Sequence, residues 1–274
     1  MIPLATLQPD LFAGGGDQHL AELQLLRGRL TRFASGLSRV NDFSVAAWAG
    51  HAVGVEIGEM SDAAIQALAR CILDYRTPTF IDSGAFGVFQ RMIRSSTAMN
   101  APPLQVLDFC QILQRYDALT EAISDHNLAE EHYPVPLLVM PDIVGDQAAS
   151  LDLIRTHRDY VQACAFFSGV ARPIIPIQRG DRPVADIYAD IVQILGTDAF
   201  VTGIPSNAVG LAPEEFVNFL RGSRPRAVHI LGAFADSRLT PRLCQIVEAG
   251  VAREIEVSTD GNPLRSIIIA KGQG

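Results

Sequence analysis

Apolar and polar residues follow two rhythms along this chain. Short β-rich runs recur, and stretches with helical spacing separate them. The predicted strands are 3–7 (PLATL), 44–48 (SVAAW), 77–82 (TPTFID), 136–142 (PLLVMPD), 172–178 (RPIIPIQ), 199–204 (AFVTGI), 227–232 (AVHILG) and 253–260 (REIEVSTD). Amphipathic helical patterns cover 17–36, 61–75, 103–124, 147–166, 184–195, 213–221 and 239–249. The helix signals are clear in TPRLCQIVEAG, where Thr240 can cap, Pro241 fits a first turn and Gly250 fits the position after the last turn. APEEFVNFLRG repeats the scheme with Pro213, Glu214, Glu215 and a closing Gly222.

Strands that alternate with helices predict parallel pairing, because a parallel pair needs a crossover. Eight such units predict an α/β fold, a single (β/α)8 TIM barrel spanning residues 1–274 as one domain. The alternative is an open doubly wound sheet, which would place a G-x-G-x-x-G turn after the first strand. That motif is absent, and FAGGGDQ (12–18) has no P-loop lysine, so it reads as a flexible loop and no cofactor is expected. The longest excursion, 86–130, follows the third predicted strand. On a barrel it lies on the C-terminal side, the place of lids and binding loops.

Chemistry on such a barrel gathers at the C-terminal ends of the strands. Those ends read Asp82–Ser83–Gly84, Asp142 with Asp146, Gln178–Arg179–Gly180, Gly203–Ile204–Pro205, Leu231–Gly232 and Asp260–Gly261. Three carboxylates, an amide and several glycines would converge on one mouth. Glycine lets backbone donors approach a ligand, and an amide offers both a donor and an acceptor. The set suits a planar polar heterocycle with an acid or a nucleophile beside it.

Each residue also has a plainer role. Asp after a strand is commonly a helix cap. Asp146, directly before a helical pattern, is assigned that cap, which leaves Asp142 for function. Phe86 could be core, and Gln178 could belong to an ordinary turn. His51, His132 and His229 lack ligand spacing and are assigned to packing or hydrogen bonding. RMIR (91–94) and RGSRPR (221–226) read as solvated faces, the second on the end of the barrel opposite the chemistry.

Composition narrows the partners. The chain is 48% hydrophobic and 19% charged, which supports a sizeable core. No apolar run approaches the ~20 residues that cross a membrane, and no signal sequence is evident. The four cysteines (Cys71, Cys110, Cys164, Cys244) form no CxxC pair, so neither a zinc site nor a disulfide framework is expected, and a cytoplasmic protein is. A net charge of -8 argues against a broad nucleic-acid-binding surface, while leaving a local basic patch open.

FIDSGAFGVF resembles the D-S-G-G-F-Q-V-F signature of the tRNA-guanine transglycosylases, with Ala85 at the second glycine and Gly87 at the glutamine. Further similarities follow in order. VMPDIVGD stands where that family has its base-recognition aspartate, and PIQRG stands for its V-Q-G with Arg179 inserted. FVTGIP resembles A-V-G-G-L, VHILG resembles Y-L-M-G, and GVAREIEVSTDG falls where the family has G-V-D-x-F-D and its nucleophile. The similarity spans about residues 78–265. The family's C-x-C-x2-C zinc subdomain is absent, and the shorter chain is similar in form to the compact DNA-guanine transglycosylase-like branch, which installs 7-deazaguanine bases in DNA.

The resemblance implies base exchange at C1′ of a nucleotide. DNA is favoured over tRNA, and the incoming base is a 7-deazaguanine derivative. Asp82 would be the general acid/base and Asp260 the nucleophile, with Glu256, on the same strand face, as the fallback. Asp142, Gln178 and the backbone at Gly203 would read the base. Phe86 would stack on it, and Ser83, Gly84 and Leu231 would line the pocket. Two rivals stay open: an N-glycosidic hydrolase on the same barrel, and a non-catalytic partner subunit of a transglycosylase. The isolated chain is expected to bind nucleic acid weakly, with a possible protein partner supplying that affinity.

Overall fold

Eight parallel strands pair in chain order, and the last closes on the first. The computed structural model describes residues 16–37, 39–96, 107–126, 133–166, 169–206, 210–233 and 235–262. The strands are β1 (Thr31–Ala34), β2 (Val53–Glu56), β3 (Thr79–Asp82), β4 (Leu137–Val139), β5 (Arg172–Pro176), β6 (Val201–Pro205), β7 (Ala227–Leu231) and β8 (Glu256–Gly261). The helices are α1 (Gly16–Arg29), α2 (Val40–Trp48), α3 (Asp62–Asp74), α4 (Ala85–Ser96), α5 (Phe109–His126), α6 (Gln147–Thr156), α7 (Arg158–Phe166), α8 (Val184–Leu195), α9 (Pro213–Ser223) and α10 (Asp236–Glu248). This is the expected (β/α)8 barrel, and the open sheet is excluded by the β1–β8 pairing, which runs from Thr31↔Ser258 to Ala34↔Gly261.

Side-chain alternation builds two cores. Phe33, Phe80, Leu137, Val139, Ile174, Val201 and Ala227 form one cluster inside the barrel. Their strand neighbours Ile81, Leu138, Ile175, Val228 and Ile230 belong to the larger cluster under the helices. The inner series continues in steps of two toward the C-terminal ends. Phe80 leads to Asp82, and Ser258 leads to Asp260, so the polar residues crown an apolar plug.

Two strand predictions need correction. The closing strand is Thr31–Ala34, inside the stretch 17–36 read as helix, and 3–7 lies outside the described residues. SVAAW is not a strand. It forms most of α2, burying Phe43 and Ala47 four residues apart while Val45 and Trp48 stay exposed. The second strand is instead Val53–Glu56. Gly54 is required there by close approach to β1, since a Cβ would lie 2.7 Å from that of Ser35.

Three helix predictions also change. The stretch 147–166 divides at His157 into α6 and α7. α10 starts at Asp236, so Thr240 and Pro241 lie within it, although Gly250 takes the expected left-handed position after its end. α9 runs past Gly222 to Ser223, and Arg224 caps it.

Candidate active site

Four strand ends bring Asp82, Asp142, Gln178 and Asp260 to one mouth. Asp82 ends β3, and Gln178 follows β5 by two residues. Asp142 follows β4 by three, and Asp260 is the penultimate residue of β8.

Asp82 is partly buried, and its Oδ1 accepts the Gly84 N–H at 3.2 Å. Gly84 has φ +88, which swings its amide back to the carboxyl. Ser83 is fully buried, and its Oγ accepts from Ala85 N at 3.4 Å at the start of α4, so its role is local. Burial pushes the Asp82 carboxyl up to about 7, and the charge of Asp260 adds to this. The Gly84 N–H opposes the shift, and Glu56 adds a smaller upward push.

Asp260 is almost enclosed. Its Oδ1 accepts the Gly232 N–H at 2.7 Å and lies 3.3 Å from Nε2 of His229. Gly232 has φ +72, which turns its amide toward β8. The backbone after Leu231 therefore serves Asp260, while the Leu231 carbonyl is taken by Ser206 N and Oγ.

Asp142 and Gln178 form a buried pair. Gln178 Nε2 donates to Asp142 Oδ2 at 2.8 Å, and Gln178 Oε1 accepts from Gly145 N at 2.9 Å. The Gly145 donor fixes which end of the amide is oxygen. Gln147 braces the loop, donating to the carbonyls of Gln178 and Arg182. Burial pushes the Asp142 carboxyl up to about 8, with the Asp82 charge adding and the Gln178 hydrogen bond opposing. Asp146 is the α6 cap, as expected, accepting from Ala149 N at 2.9 Å.

Gly203 lies inside β6 against β5, where a Cβ would sit 3.0 Å from the Pro176 Cα, and its carbonyl accepts from Ile177 N. Phe86 is exposed at the start of α4, its ring 6.3 Å from that of Phe89.

The fallback nucleophile is overturned. Glu256 shares a strand face with Asp260 but starts β8, at the far end of the barrel. Its side chain is 59% exposed and is held by Arg172 Nη1 at 2.9 and 3.0 Å. The 221–226 arginines also lie away from the mouth. Arg224 pairs with Glu254, and Arg226 pairs with Asp198.

Two mouth residues were missed. Glu56 ends β2 and is the register partner of Asp82. Its carboxylate is lodged over Gly84, where a Cβ would come within 2.5 Å of Oε1. Burial raises its pKa and the Glu59 charge adds to this, while Arg91 opposes. His229 is buried, as expected for a packing and hydrogen-bonding residue, but its partners Ser258 and Asp260 tie it to the mouth. His51 is exposed, and His132 lies outside the described residues.

Among the described residues, no group of three or more His, Cys, Asp or Glu side chains could hold a metal ion. No described helix is long and apolar enough to cross a membrane. The mouth offers Asp82, raised to about 7, Asp260 with Oδ1 held by the Gly232 N–H, and the buried Asp142–Gln178 edge, whose acid is raised to about 8.

No protein-family model matches the chain, and no curated protein does. Among solved structures it is similar to a lysine/ornithine decarboxylase complexed with cadaverine, from Vibrio vulnificus, at 10% identity and TM-score 0.42. That likeness covers 89% of this chain and 60% of the other, and carries no argument about activity.

Proposed function

We propose that this chain is a glycosyltransferase of the guanine transglycosylase type, replacing guanine in a nucleic acid with a 7-deazaguanine derivative. The observation that carries the reading is that two carboxyls meet at one mouth in unlike surroundings. Burial pushes Asp82 up to about 7, so that about half of the molecules carry its proton at pH 7, while Oδ1 of Asp260 accepts the Gly232 N–H. Two carboxyls at one site, one of them raised by burial, can supply an acid and a nucleophile.

In the first step Asp260 bonds to C1′ as the C1′–N bond breaks through an oxocarbenium-like state. The electron pair leaves with guanine, which takes the Asp82 proton. In the second step the incoming base attacks C1′ with its ring nitrogen and gives that nitrogen's proton to Asp82. The ester breaks, and Asp260 returns as a carboxylate. Asp142 accepts N–H bonds from the base edge, Gln178 offers its remaining N–H, and Phe86 stacks on the ring. The target nucleotide leaves its helix to reach the pocket. The sequence similarity is what favours DNA over tRNA.

The test is product analysis with oligonucleotides and a 7-deazaguanine base. Base exchange expects repeated turnover only when an incoming base is supplied, with the matching mass change in the polymer, and without it at most one guanine per enzyme, released as the adduct forms. Guanine released in many turnovers without an incoming base points to hydrolysis. No release from any DNA or RNA, alone or with a partner protein, points to a non-catalytic subunit.

A further inference from the structure

The layer of side chains below the mouth is apolar at Phe33, Phe80, Val139, Ile174 and Val201, yet it contains one histidine. His229 is 0% exposed. Its ring stacks on Phe80, with centroids 4.5 Å apart and planes 2° from parallel, and Phe33 flanks it at 6.0 Å. Both ring nitrogens turn to β8. Nδ1 is 2.8 Å from Ser258 Oγ, and Nε2 is 3.3 Å from Asp260 Oδ1. Ser258 is the register partner of His229, and Asp260 lies two residues further along the same face.

The order of this chain matters. Ser, His and Asp occur together in hydrolase triads, where the serine meets substrate and the aspartate is buried behind the histidine. Here the polarity is inverted, with Ser258 at the closed end and Asp260 at the mouth. With its proton on Nε2, the ring gives Oδ1 of Asp260 a second donor beside the Gly232 N–H and leaves Nδ1 to accept from the Ser258 hydroxyl. Ser258, on Nδ1, fixes the ring from behind.

Resting on the base-exchange reading, we infer that His229 is the positioning residue of the nucleophile: with the Gly232 N–H it holds Oδ1 of Asp260, leaving Oδ2 as the oxygen that bonds to C1′. The Oδ2 lone pair forms the new C1′–O bond while the C1′–N pair departs with the base and the Asp82 proton. Oδ1 then becomes the ester carbonyl, still held by both donors. In the second step the C–O electrons return to Oδ2 and the carboxylate reforms in place. Donors fixed in advance cost no reorganisation at the moment of reaction.

Three measurements test this. Trapping of the enzyme–oligonucleotide adduct is compared in wild type, His229→Gln and His229→Phe. Gln keeps an N–H close to the Nε2 position, and Phe keeps the ring without a donor. We expect His229→Gln to stay within about tenfold of wild type, and His229→Phe to form adduct about 10²–10³-fold more slowly, the usual cost of one such donor. Oligonucleotide affinity should not change. Adduct formation by His229→Phe at the wild-type rate, or a loss confined to affinity, overturns the inference. ¹⁵N spectra of imidazole-labelled wild type need no substrate and decide the matter even if His229→Phe fails to fold. A proton on Nε2 is expected, and an Nδ1–H tautomer with bare Nε2 overturns the inference. Wild type that forms no adduct while Nε2 carries the proton would count against base exchange, leaving the hold on Oδ1 intact.

Discussion

Gln178 donates to Asp142 across 2.8 Å inside the closed wall of the mouth, and this single side-chain donor does not offset what burial does to the acid. Asp142 sits at about 8 and keeps its proton at neutral pH. A guanine-type edge brings two N–H donors, which favour the ionised form. Base binding should therefore expel a proton. At pH 7, calorimetry of 7-deazaguanine binding in buffers of different ionisation enthalpy should read the release of about one proton, with affinity rising up to about tenfold per pH unit toward pH 8. Proton uptake, or none exchanged, contradicts the role given to Asp142.

The same shift has a stability consequence. The folded-state pKa of Asp142 lies above its ordinary 3.8, so the folded chain holds a proton that the unfolded chain has lost. This contribution is fully present below about pH 4 and is lost as pH rises through about 8. Asp142→Asn is neutral throughout. In urea unfolding, the stability of Asp142→Asn relative to wild type should rise by roughly 3–4 kcal/mol from pH 5 to pH 8.5. A gap independent of pH would mean that Asp142 does not titrate as described.

Glu56 and Asp82 are register partners, and the charge of Glu56 raises the Asp82 pKa. Asp82 must be protonated to act first as an acid, so kcat/KM should fall as pH rises through about 7. Glu56→Gln removes one source of the upward push and should move that limb to lower pH. A pH–rate profile of the variant checks this. An unmoved limb would mean that Glu56 only fills the niche over Gly84.

Much of this was legible in the chain. β3 to β8 announce themselves as apolar runs ended by Asp, Gln or Gly, and their ends supply Asp82, Asp142, Gln178 and Asp260. β1 did not. Thr-Arg-Phe-Ala is four residues long, buries only Phe33, and is divided from α1 by Leu30 alone. Val-Gly-Val-Glu is equally short and carries a glycine whose need arises only from Ser35, the residue after the neighbouring strand. With β2 unread, Glu56 could not be seen as a strand end. SVAAW misled because its apolar residues face both core and solvent, with Val45 64% and Trp48 75% exposed. His229 carried no spacing signal, because its partners lie 29 and 31 residues away on another strand. Glu256 and Asp260 share a face by period two, and only the strand's start at Glu256 separates the two ends of the barrel.

An adduct trap reads whether Asp260 bonds covalently to the sugar carbon. Wild type and Glu256→Gln are incubated with a guanine-containing oligonucleotide without an incoming base, denatured, and examined on a gel, with the crosslinked peptide identified by mass. An adduct is expected in both, carried on Asp260, and none in Asp260→Asn. An adduct that survives Asp260→Asn, or a wild type that forms none with any DNA or RNA, contradicts that bond.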